Sequence, residues 1–320
     1  MVLDQEIIKK SLNYQDYFEI MKACFTDFAN DKLKNHPRDV FAIPDNKFIG
    51  TMNAFSNITN LATVKVAGIF PGNTKTNLDV HQGAILLFDT NTGEFKAMAD
   101  TSEITAKRTA AVSAVATDCM AHRSADHLIV FGAGVQAYEH IRAIGKIRKL
   151  KKITIVNRSP ERGKILMNKL GSNYNCFFIP LKDFISIPEN AIVCTTTSSM
   201  MPVLLHKMLP NSCHINAVGN CQKEGAEVEA SIFKQAYVVV DSKEESLRSA
   251  GDIIRARMRF DFPLHDLGQE LLLNKKIVGG ISVFKSVGLA IEDLYCVQEI
   301  FKRELENCST QKINLGGLRC

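Results

Sequence analysis

Three features of the sequence predict an α/β fold centred on a doubly wound sheet. The segment His127–Ala137 joins a run of branched apolar residues to the pattern G-x-G-x-x-A, as at the first turn of a dinucleotide-binding sheet. A helical stretch to about Ile147 and the apolar run Lys152–Val156 follow, so the unit is strand, helix, strand. Further short apolar runs continue to Val240 and predict that strands and helices alternate, as such a sheet requires.

The glycine pattern indicates a Rossmann-type site for a dinucleotide. Gly132 allows the tight turn from strand to helix, Gly134 lets a phosphate approach the backbone, and Ala137 lets the helix pack close to the strand. Free N–H groups at the start of that helix would face a pyrophosphate. Taken alone the pattern also fits an ordinary turn, but the strand before it and the second strand after it favour the dinucleotide site.

Length and composition are those of an ordinary globular protein. The 320 residues exceed a usual single core, so one large or two medium domains are expected. The net charge of +5 is mild and no aromatic residues alternate with a basic stripe, which argues against nucleic-acid binding. Nine cysteines without C-x-x-C pairs, and histidines without ligand spacing, indicate reduced thiols in a cytoplasmic protein and no metal site. We find no secretory signal pattern and no apolar run that is long enough for a membrane span.

The region before the glycine pattern is predicted to be α+β. Residues 1–30 carry apolar residues at helical spacing, which predicts two short helices. From Pro37 the period changes to that of a mixed or antiparallel sheet. The predicted strands are Val40–Ile43, Phe48–Met52, Ala62–Ala67, Ala84–Phe88 and Glu94–Met98. The small residues of Ile104–Ala121 then predict a tightly packed helix that joins the two domains.

The region after the first strand-helix-strand unit is predicted to continue the parallel sheet. Ser159 is a predicted N-cap with Pro160 at the first helical position, and the helix runs to about Leu170. Further strands are predicted at Cys176–Ile179, Ala191–Cys194, His214–Val218 and Tyr237–Val240. A long helix from Ser286 to about Leu305 is predicted to return to the first domain. Residues 1–122 and 285–320 would then form one discontinuous domain, and residues 123–284 the Rossmann domain.

The residues after the second strand of the unit favour NADP(H), with NAD(H) possible. A protein that prefers NAD usually has an Asp or Glu there for the ribose hydroxyls, whereas this chain has Asn157, Arg158 and Ser159. The planar donors of Arg158 would suit a 2′-phosphate. The alternative is a surface arginine in a turn.

Seven ordered motifs resemble the ornithine cyclodeaminase and μ-crystallin family over most of the chain. They are Lys107–Ala114, Phe131–Ala137, Asn157–Ser159, Ile215–Gly219, Val240–Ser242, Gly251–Asp252 and Phe284–Asp293. The resemblance implies a homodimer with a Rossmann domain and a discontinuous substrate-binding and dimerisation domain. It also implies NAD(P)(H)-dependent chemistry at the α-carbon of a small amino or imino acid.

The resemblance further implies a clamp for the substrate carboxylate, formed by Arg38, Lys65 and Arg108. Lys65 and Arg108 would also act in catalysis, and Asp293 would orient a group of the site. Exposed positions for the three cations, and a structural role for Asp293, stay open as alternatives. The cofactor contacts implied by the resemblance are Thr109, Gly132, Gly134, Val135, Gln136, Asn157, Arg158, Ser159, Thr195, Thr197, Val218 and Ser286. For the threonines after the Ala191–Cys194 strand, N-capping of a following helix is the alternative.

Two departures from the family pattern bear on the reaction. Cys221 stands where a cyclodeaminase has an aspartate, and Met52 stands where it offers a glutamate. A thiol with an ordinary pKa of about 8.5 does not replace a carboxylate as a base. The first hypothesis is therefore an NAD(P)H-dependent imine reductase or amino-acid dehydrogenase acting on a small 2-imino or 2-amino acid, such as a cyclic ketimine. Ornithine cyclodeamination and a non-catalytic protein that binds NADPH and a small ligand are the alternatives.

Overall fold

The computed structural model of the chain describes residues 1–45, 47–274 and 279–307. Its strands, in chain order, are β1 (Val2–Leu3), β2 (Leu33–Asn35), β3 (Asp39–Ile43), β4 (Lys47–Ser56), β5 (Leu61–Ile69), β6 (His81–Asp89), β7 (Phe95–Asp100), β8 (His127–Phe131), β9 (Lys152–Asn157), β10 (Cys176–Pro180), β11 (Ala191–Thr195), β12 (Cys213–Ala217), β13 (Tyr237–Val240), β14 (Leu264–Asp266) and β15 (Ile281–Lys285). Its helices are α1 (Gln5–Ser11), α2 (Tyr14–Ala29), α3 (Thr101–Met120), α4 (Val135–Ile147), α5 (Pro160–Leu170), α6 (Ala230–Phe233), α7 (Lys243–Ser249), α8 (Gly251–Arg257), α9 (Leu267–Leu272) and α10 (Ala290–Glu306).

The chain divides into two compact units. Unit 1 comprises Met1–Arg108 and the chain from Leu289 onward, and unit 2 comprises Thr109–Gly288. The first boundary lies inside α3, whereas the sequence analysis placed it after His122. The second boundary lies after Gly288 rather than before Lys285. Residues 308–320 of the predicted first domain lie outside the described residues.

Unit 1 contains a mixed seven-stranded sheet. The strand order is β1-β7-β6-β5-β4-β2, and β3 also pairs with β4. β1 is parallel to β7, and the other pairs are antiparallel. The register places Met52, Lys65, Ile85 and Ala99 in one row across four strands, and all four side chains are buried. Because α10 packs against α2 and against β4, β5 and β6, this row faces α10.

Unit 2 contains an eight-stranded sheet in which all strand pairs are parallel. The strand order is β10-β9-β8-β11-β12-β15-β13-β14. Leu128 and Val130 of β8 belong to one hydrophobic core, and Ile129 and Phe131 belong to a second core. Because successive side chains of a strand point to opposite faces, the sheet is buried on both sides. The connections change direction between β8 and β11, which is the place where such sheets bind ligands.

The predicted helix from Ser286 begins too early, and the strand before it was missed. The structure has β15 at Ile281–Lys285, and α10 begins at Ala290. Strand β15 was not predicted because buried parallel strands are usually continuous apolar runs, whereas β15 contains the polar residues Ser282 and Lys285. Both find buried partners: Ser282 Oγ lies 2.9 Å from Nδ1 of His214, and the Lys285 ammonium pairs with a carboxylate in the same unit.

Strands and helices do not alternate throughout unit 2, contrary to the prediction. Between β10 and β11 the regular helical structure is a 3₁₀ turn at Leu181–Asp183, and between β11 and β12 it is another at His206–Met208. Pro188, Pro202 and Pro210 lie in these connections. Proline has no N–H group to donate, so it interrupts a helix.

Candidate functional site

A buried lysine on β5 is the first component of the candidate site in unit 1. Lys65 is 3% exposed, and its Nζ lies 3.1 and 3.0 Å from the two carboxylate oxygens of Asp293 in α10. The ammonium also donates to Oγ1 of Thr105 in α3 at 2.7 Å. The alternative of a lysine that points to solvent is therefore wrong, and Asp293 is its ion-pair partner.

Arg108 of α3 lies in the same buried cluster. Its Nη1 donates to Oε2 of Glu292 at 2.7 Å, and its Nε lies 3.4 Å from Oδ1 of Asp293. The other oxygen of Glu292 accepts the backbone N–H of Leu289 at 2.7 Å, at the start of α10, where the helix dipole favours negative charge. The alternative of a surface arginine is therefore also wrong. Glu292 was not predicted as a site residue, although two adjacent acids in the otherwise apolar first half of α10 were a usable signal.

The charges of the cluster shift the pKa values of its members. Burial lowers the pKa of Lys65, the Asp293 charge opposes this, and the charges of Arg108 and Arg38 lower it further. Burial would raise the pKa of Asp293, yet the Lys65 and Arg108 charges hold it below its ordinary value. Arg38, which is half-buried, therefore acts on the same cluster.

The side chain opposite Lys65 in the sheet is apolar. Met52 of β4 pairs directly with Lys65 of β5, and both side chains are buried. Directly opposed residues on one face of a sheet are close neighbours. The glutamate that the family resemblance places at this position in cyclodeaminases is therefore replaced by a group that neither accepts a proton nor binds an amine.

The glycine turn of unit 2 has the geometry of a phosphate cradle. Gly132 has φ +117°, and a Cβ there would come within 2.6 Å of Oγ1 of Thr196. Gly134 is the N-cap of α4, with no side-chain cap, and a Cβ there would meet no atom within 4 Å. Val135, the first helical residue, is 53% exposed. The start of α4 therefore presents uncapped N–H groups to open space, as anion binding requires.

Two buried polar atoms near the glycine turn lack partners. Oε1 of Gln136 and Oγ1 of Thr195 are buried without a hydrogen bond among the described residues. Gln136 lies in the first turn of α4, and Thr195 ends β11, the strand beside β8. Buried polar atoms are nearly always satisfied, so a dinucleotide with its many polar groups fits this place.

The threonines after β11 hold the backbone of neighbouring segments together. Thr196 binds the Phe131 carbonyl through its N–H at 2.8 Å and its hydroxyl at 2.9 Å, and the Val218 N–H donates to the Thr195 carbonyl at 3.0 Å. Both the N–H and the hydroxyl of Thr197 donate to Glu227. Residues 196–205 are all described and contain no helix. The N-capping alternative for these threonines is therefore wrong.

The other predicted cofactor residues occupy different positions in unit 2. Asn157 Nδ2 donates to the Ser159 carbonyl at 3.1 Å, and Ser159 Oγ caps α5 by accepting a backbone N–H at 3.3 Å, as predicted. Arg158 is exposed between them, and Thr109 is half-buried in α3. Ser286 is buried, and its hydroxyl donates to Asp241 at 3.0 Å, so this hydroxyl is engaged within the protein.

The comparisons with known proteins agree with this geometry. The model of the ornithine cyclodeaminase/mu-crystallin family matches residues 1–307. The chain belongs to this family. Its resemblance to the family and the predicted Rossmann-type α/β fold are thus confirmed.

Three relatives show the extent of the similarity. The ketimine reductase mu-crystallin of Mus musculus is 31% identical over 256 residues, which cover 79% of this chain and 80% of the relative. The Delta(1)-pyrroline-2-carboxylate reductase of Bacillus cereus is 30% identical over 327 residues, which cover 98% and 99%. A solved structure of the Thermococcus litoralis Delta(1)-pyrroline-2-carboxylate reductase, in complex with NADH and L-proline, superposes with a TM-score of 0.89 at 28% identity. It covers 98% of this chain and 100% of that chain.

The described part of the chain lacks two further classes of feature. No group of three or more His, Cys, Asp or Glu side chains that could hold a metal ion occurs there. None of the helices within residues 1–45, 47–274 and 279–307 is long and apolar enough to cross a membrane.

We expect Gly132→Ala to weaken NADH binding about tenfold or more, because a side chain is strained at this φ and collides with Thr196 beside the cradle. Fluorescence titration with NADH measures the effect. Gly93→Ala is the matched control, since Gly93 also has positive φ (+73°) but has no atom near its Cβ position and lies in unit 1. Equal losses in the two variants would contradict a cofactor role for the glycine turn.

Proposed function

We propose that this protein is an NAD(P)H-dependent imine reductase that acts on a small 2-imino acid, such as a cyclic ketimine. The observation that carries the proposal is the buried cluster of Lys65, Arg108 and Asp293, with Met52 beside it where a carboxylate would serve the amine chemistry of a diamino acid. The cradle at the glycine turn of unit 2 and the reductase names of the relatives support it.

The protein's own residues would bind and orient the substrate. Arg108 offers planar paired donors to a carboxylate, and Lys65 and Arg38 add positive charge. Asp293 holds Lys65 and Arg108 in place by contacting both. The reduced nicotinamide, when bound, supplies a hydride to the imine carbon. The nitrogen is already protonated in an iminium substrate, so reduction to the amine needs no strong acid from the protein.

Cyclodeamination is the second candidate, and the position of Cys221 weighs against it. The Cys221 thiol is half-buried and faces backbone carbonyls, with Sγ 3.8 Å from the Val218 oxygen and 3.7 Å from the Ser286 oxygen. A thiol in contact with carbonyl oxygens is a donor, not the carboxylate acceptor that a side-chain ammonium needs. With Met52 and Cys221 at the two departure positions, reduction is the better-supported reaction.

We expect purified protein to oxidise NADPH or NADH in the presence of Δ1-pyrroline-2-carboxylate or Δ1-piperideine-2-carboxylate. Arg108→Ala should reduce kcat/KM about a hundredfold or more, and Arg108→Lys should have a smaller effect because it keeps a charge beside Glu292 but loses the paired donors. Both variants should keep their affinity for the cofactor, which separates substrate binding from loss of folding. NAD(P)H absorbance follows the reaction.

Two other results of that assay would point to the rival functions. Ammonia and proline formed from ornithine, without net change in the cofactor, would replace the reductase by a cyclodeaminase. Tight NADPH binding with no turnover on any imino acid would indicate a binding protein.

We propose that the preferred cofactor is NADP(H). The support is the exposed Arg158 at the end of β9, with the neutral Asn157 and Ser159 beside it. A guanidinium with no carboxylate next to it in sequence suits a 2′-phosphate better than ribose hydroxyls.

Arg158→Ala should therefore raise KM for NADPH about tenfold while KM for NADH stays within about twofold. The control is Arg123→Ala, which removes the same charge from another exposed position of unit 2. Arg123 precedes β8, at the amino end of that strand. Arg123→Ala should therefore change neither the KM for NADPH nor the KM for NADH. An equal change for both cofactors in Arg158→Ala would count against the preference.

We also propose that the chain forms a homodimer through the outer face of the sheet in unit 1. Phe55, Val66 and Met98 are 39%, 40% and 37% exposed, and each alternates with buried residues that face α10. The register joins Val64, Leu86 and Met98 in one row of this face. Exposed apolar residues gathered on one face of a sheet are a candidate interaction surface.

Met98→Glu should convert the dimer to monomer, because a charge in an apolar interface is desolvated without a partner. Sedimentation velocity measures the change. Ile185→Glu is the control, since Ile185 is 81% exposed in unit 2. A wild-type monomer, or a dimer that survives Met98→Glu, would refute this interface.

A further inference from the structure

One fully buried carboxylate joins the segments that follow β11 and β12 in unit 2. Glu227 is 0% exposed. Its Oε1 accepts the N–H of Thr197 at 2.6 Å and the Thr197 hydroxyl at 2.7 Å. Its Oε2 accepts the N–H groups of Gly219 at 2.7 Å and Asn220 at 3.0 Å. One carboxylate oxygen of Glu227 thus binds the segment after β11, and the other binds the segment after β12.

The segments held by Glu227 lie directly beside the glycine turn. A Cβ on Gly219 would come within 2.1 Å of the Thr197 nitrogen, so the two backbones are in close contact. Thr196, the preceding residue, closes over Gly132 and binds the Phe131 carbonyl. The chain after β11 is therefore packed between the glycine turn on one side and the end of β12 on the other.

A second layer of buried charge fixes Glu227 itself. Oδ1 of Asp252 accepts the backbone N–H groups of Glu227 at 2.7 Å and Val228 at 2.9 Å. The other oxygen of Asp252 lies 2.9 Å from Nζ of Lys285, which also donates to the Asn220 carbonyl at 2.6 Å. The network thus extends from β15 to the loop after β12.

The four bonds to Glu227 favour its ionised form. Three of the partners are backbone N–H groups, which can only donate, so an amide nitrogen at either oxygen position would face at least one N–H donor. Burial raises the pKa of Glu227, and the Lys285 charge and the Thr197 hydroxyl oppose this. Burial would also lower the pKa of Lys285, but the charges of Asp252 and Glu227 raise it. The ammonium therefore stays charged and stabilises the carboxylate.

We infer that Glu227 is a positioning residue for the dinucleotide, which shapes the cofactor site by fixing the segments Thr195–Thr197 and Val218–Asn220 without touching the ligand. The inference rests on the proposed function, since it assumes that the glycine turn holds NAD(P)H. It explains why a carboxylate whose two oxygens are both engaged by protein donors is buried at the carboxyl edge of the sheet, where burial of an unpaired charge would be costly. A merely stabilising network would not need to converge on these two segments.

Glu227→Gln tests the inference with two readouts on the whole protein. The amide nitrogen faces the donors of one segment, so we expect faster backbone hydrogen exchange in peptides that cover residues 195–222, measured by mass spectrometry without cofactor. We also expect the Kd for NADPH, measured by fluorescence titration, to rise about tenfold or more. Glu227→Asp keeps the charge but cannot reach both segments, and should give an intermediate Kd.

Glu270→Gln is the matched control for the cost of neutralising a buried carboxylate in unit 2. Glu270 is 2% exposed and accepts the Tyr237 hydroxyl at 2.9 Å, near the β13–β14 edge of the sheet. Glu270→Gln should leave both the affinity for NADPH and the backbone hydrogen exchange of residues 195–222 unchanged. If Glu227→Gln does not fold, Glu227→Asp decides with the same two readouts.

The outcomes separate this inference from the proposed function. Wild-type protein that binds neither NADPH nor NADH would overturn both. NADPH affinity that is unchanged in Glu227→Gln and Glu227→Asp, or lowered equally in Glu270→Gln, would overturn the positioning role and leave the proposed function standing.

Discussion

The Lys65–Asp293 ion pair is the constraint on which unit 1 depends. A lysine buried in a sheet keeps its charge only beside an anion, and loss of one partner from such a pair costs about 3–5 kcal/mol. The partner lies 228 positions later in the chain, on α10, which packs against β4, β5 and β6. The ion pair therefore joins the two chain segments that form unit 1.

Unit 2 applies the same principle at the carboxyl edge of its sheet. Glu227, Asp252 and Lys285 are all buried, and each is satisfied by backbone groups or by an opposite charge. Buried polar networks are costly when incomplete and rigid when complete. Here the network fixes loops beside a glycine turn that leaves open space at Gly134. A rigid support around an open cradle is what a site for a large polar cofactor needs.

The chemistry follows from which charges are present and which are missing. In unit 1, Arg108 and Lys65 are buried cations, whereas the neighbouring Met52 supplies no anion for a second amino group. The proposed function requires a substrate with one carboxylate and no side-chain ammonium. Reduction of an imine requires a hydride and a proton already on the nitrogen, and neither demands a base from the protein. The proposed function therefore uses the groups present and none of the missing ones.

Local sequence was sufficient for the elements with strong periodicity or turn chemistry. The strand-glycine-helix unit, the Ser159 cap of α5 and the two N-terminal helices were predicted because short-range sterics and apolar spacing determine them. The family was predicted from the resemblance of seven ordered motifs. Strand β15 was missed because its polar residues have partners far away in the chain. The ion pair between Lys65 and Asp293, and the contacts of Glu227 with the segments after β11 and β12, could not be predicted either. Burial and pairing of charge depend on segments that are distant in sequence and come into contact only in the folded chain, so no local sequence pattern predicts these contacts.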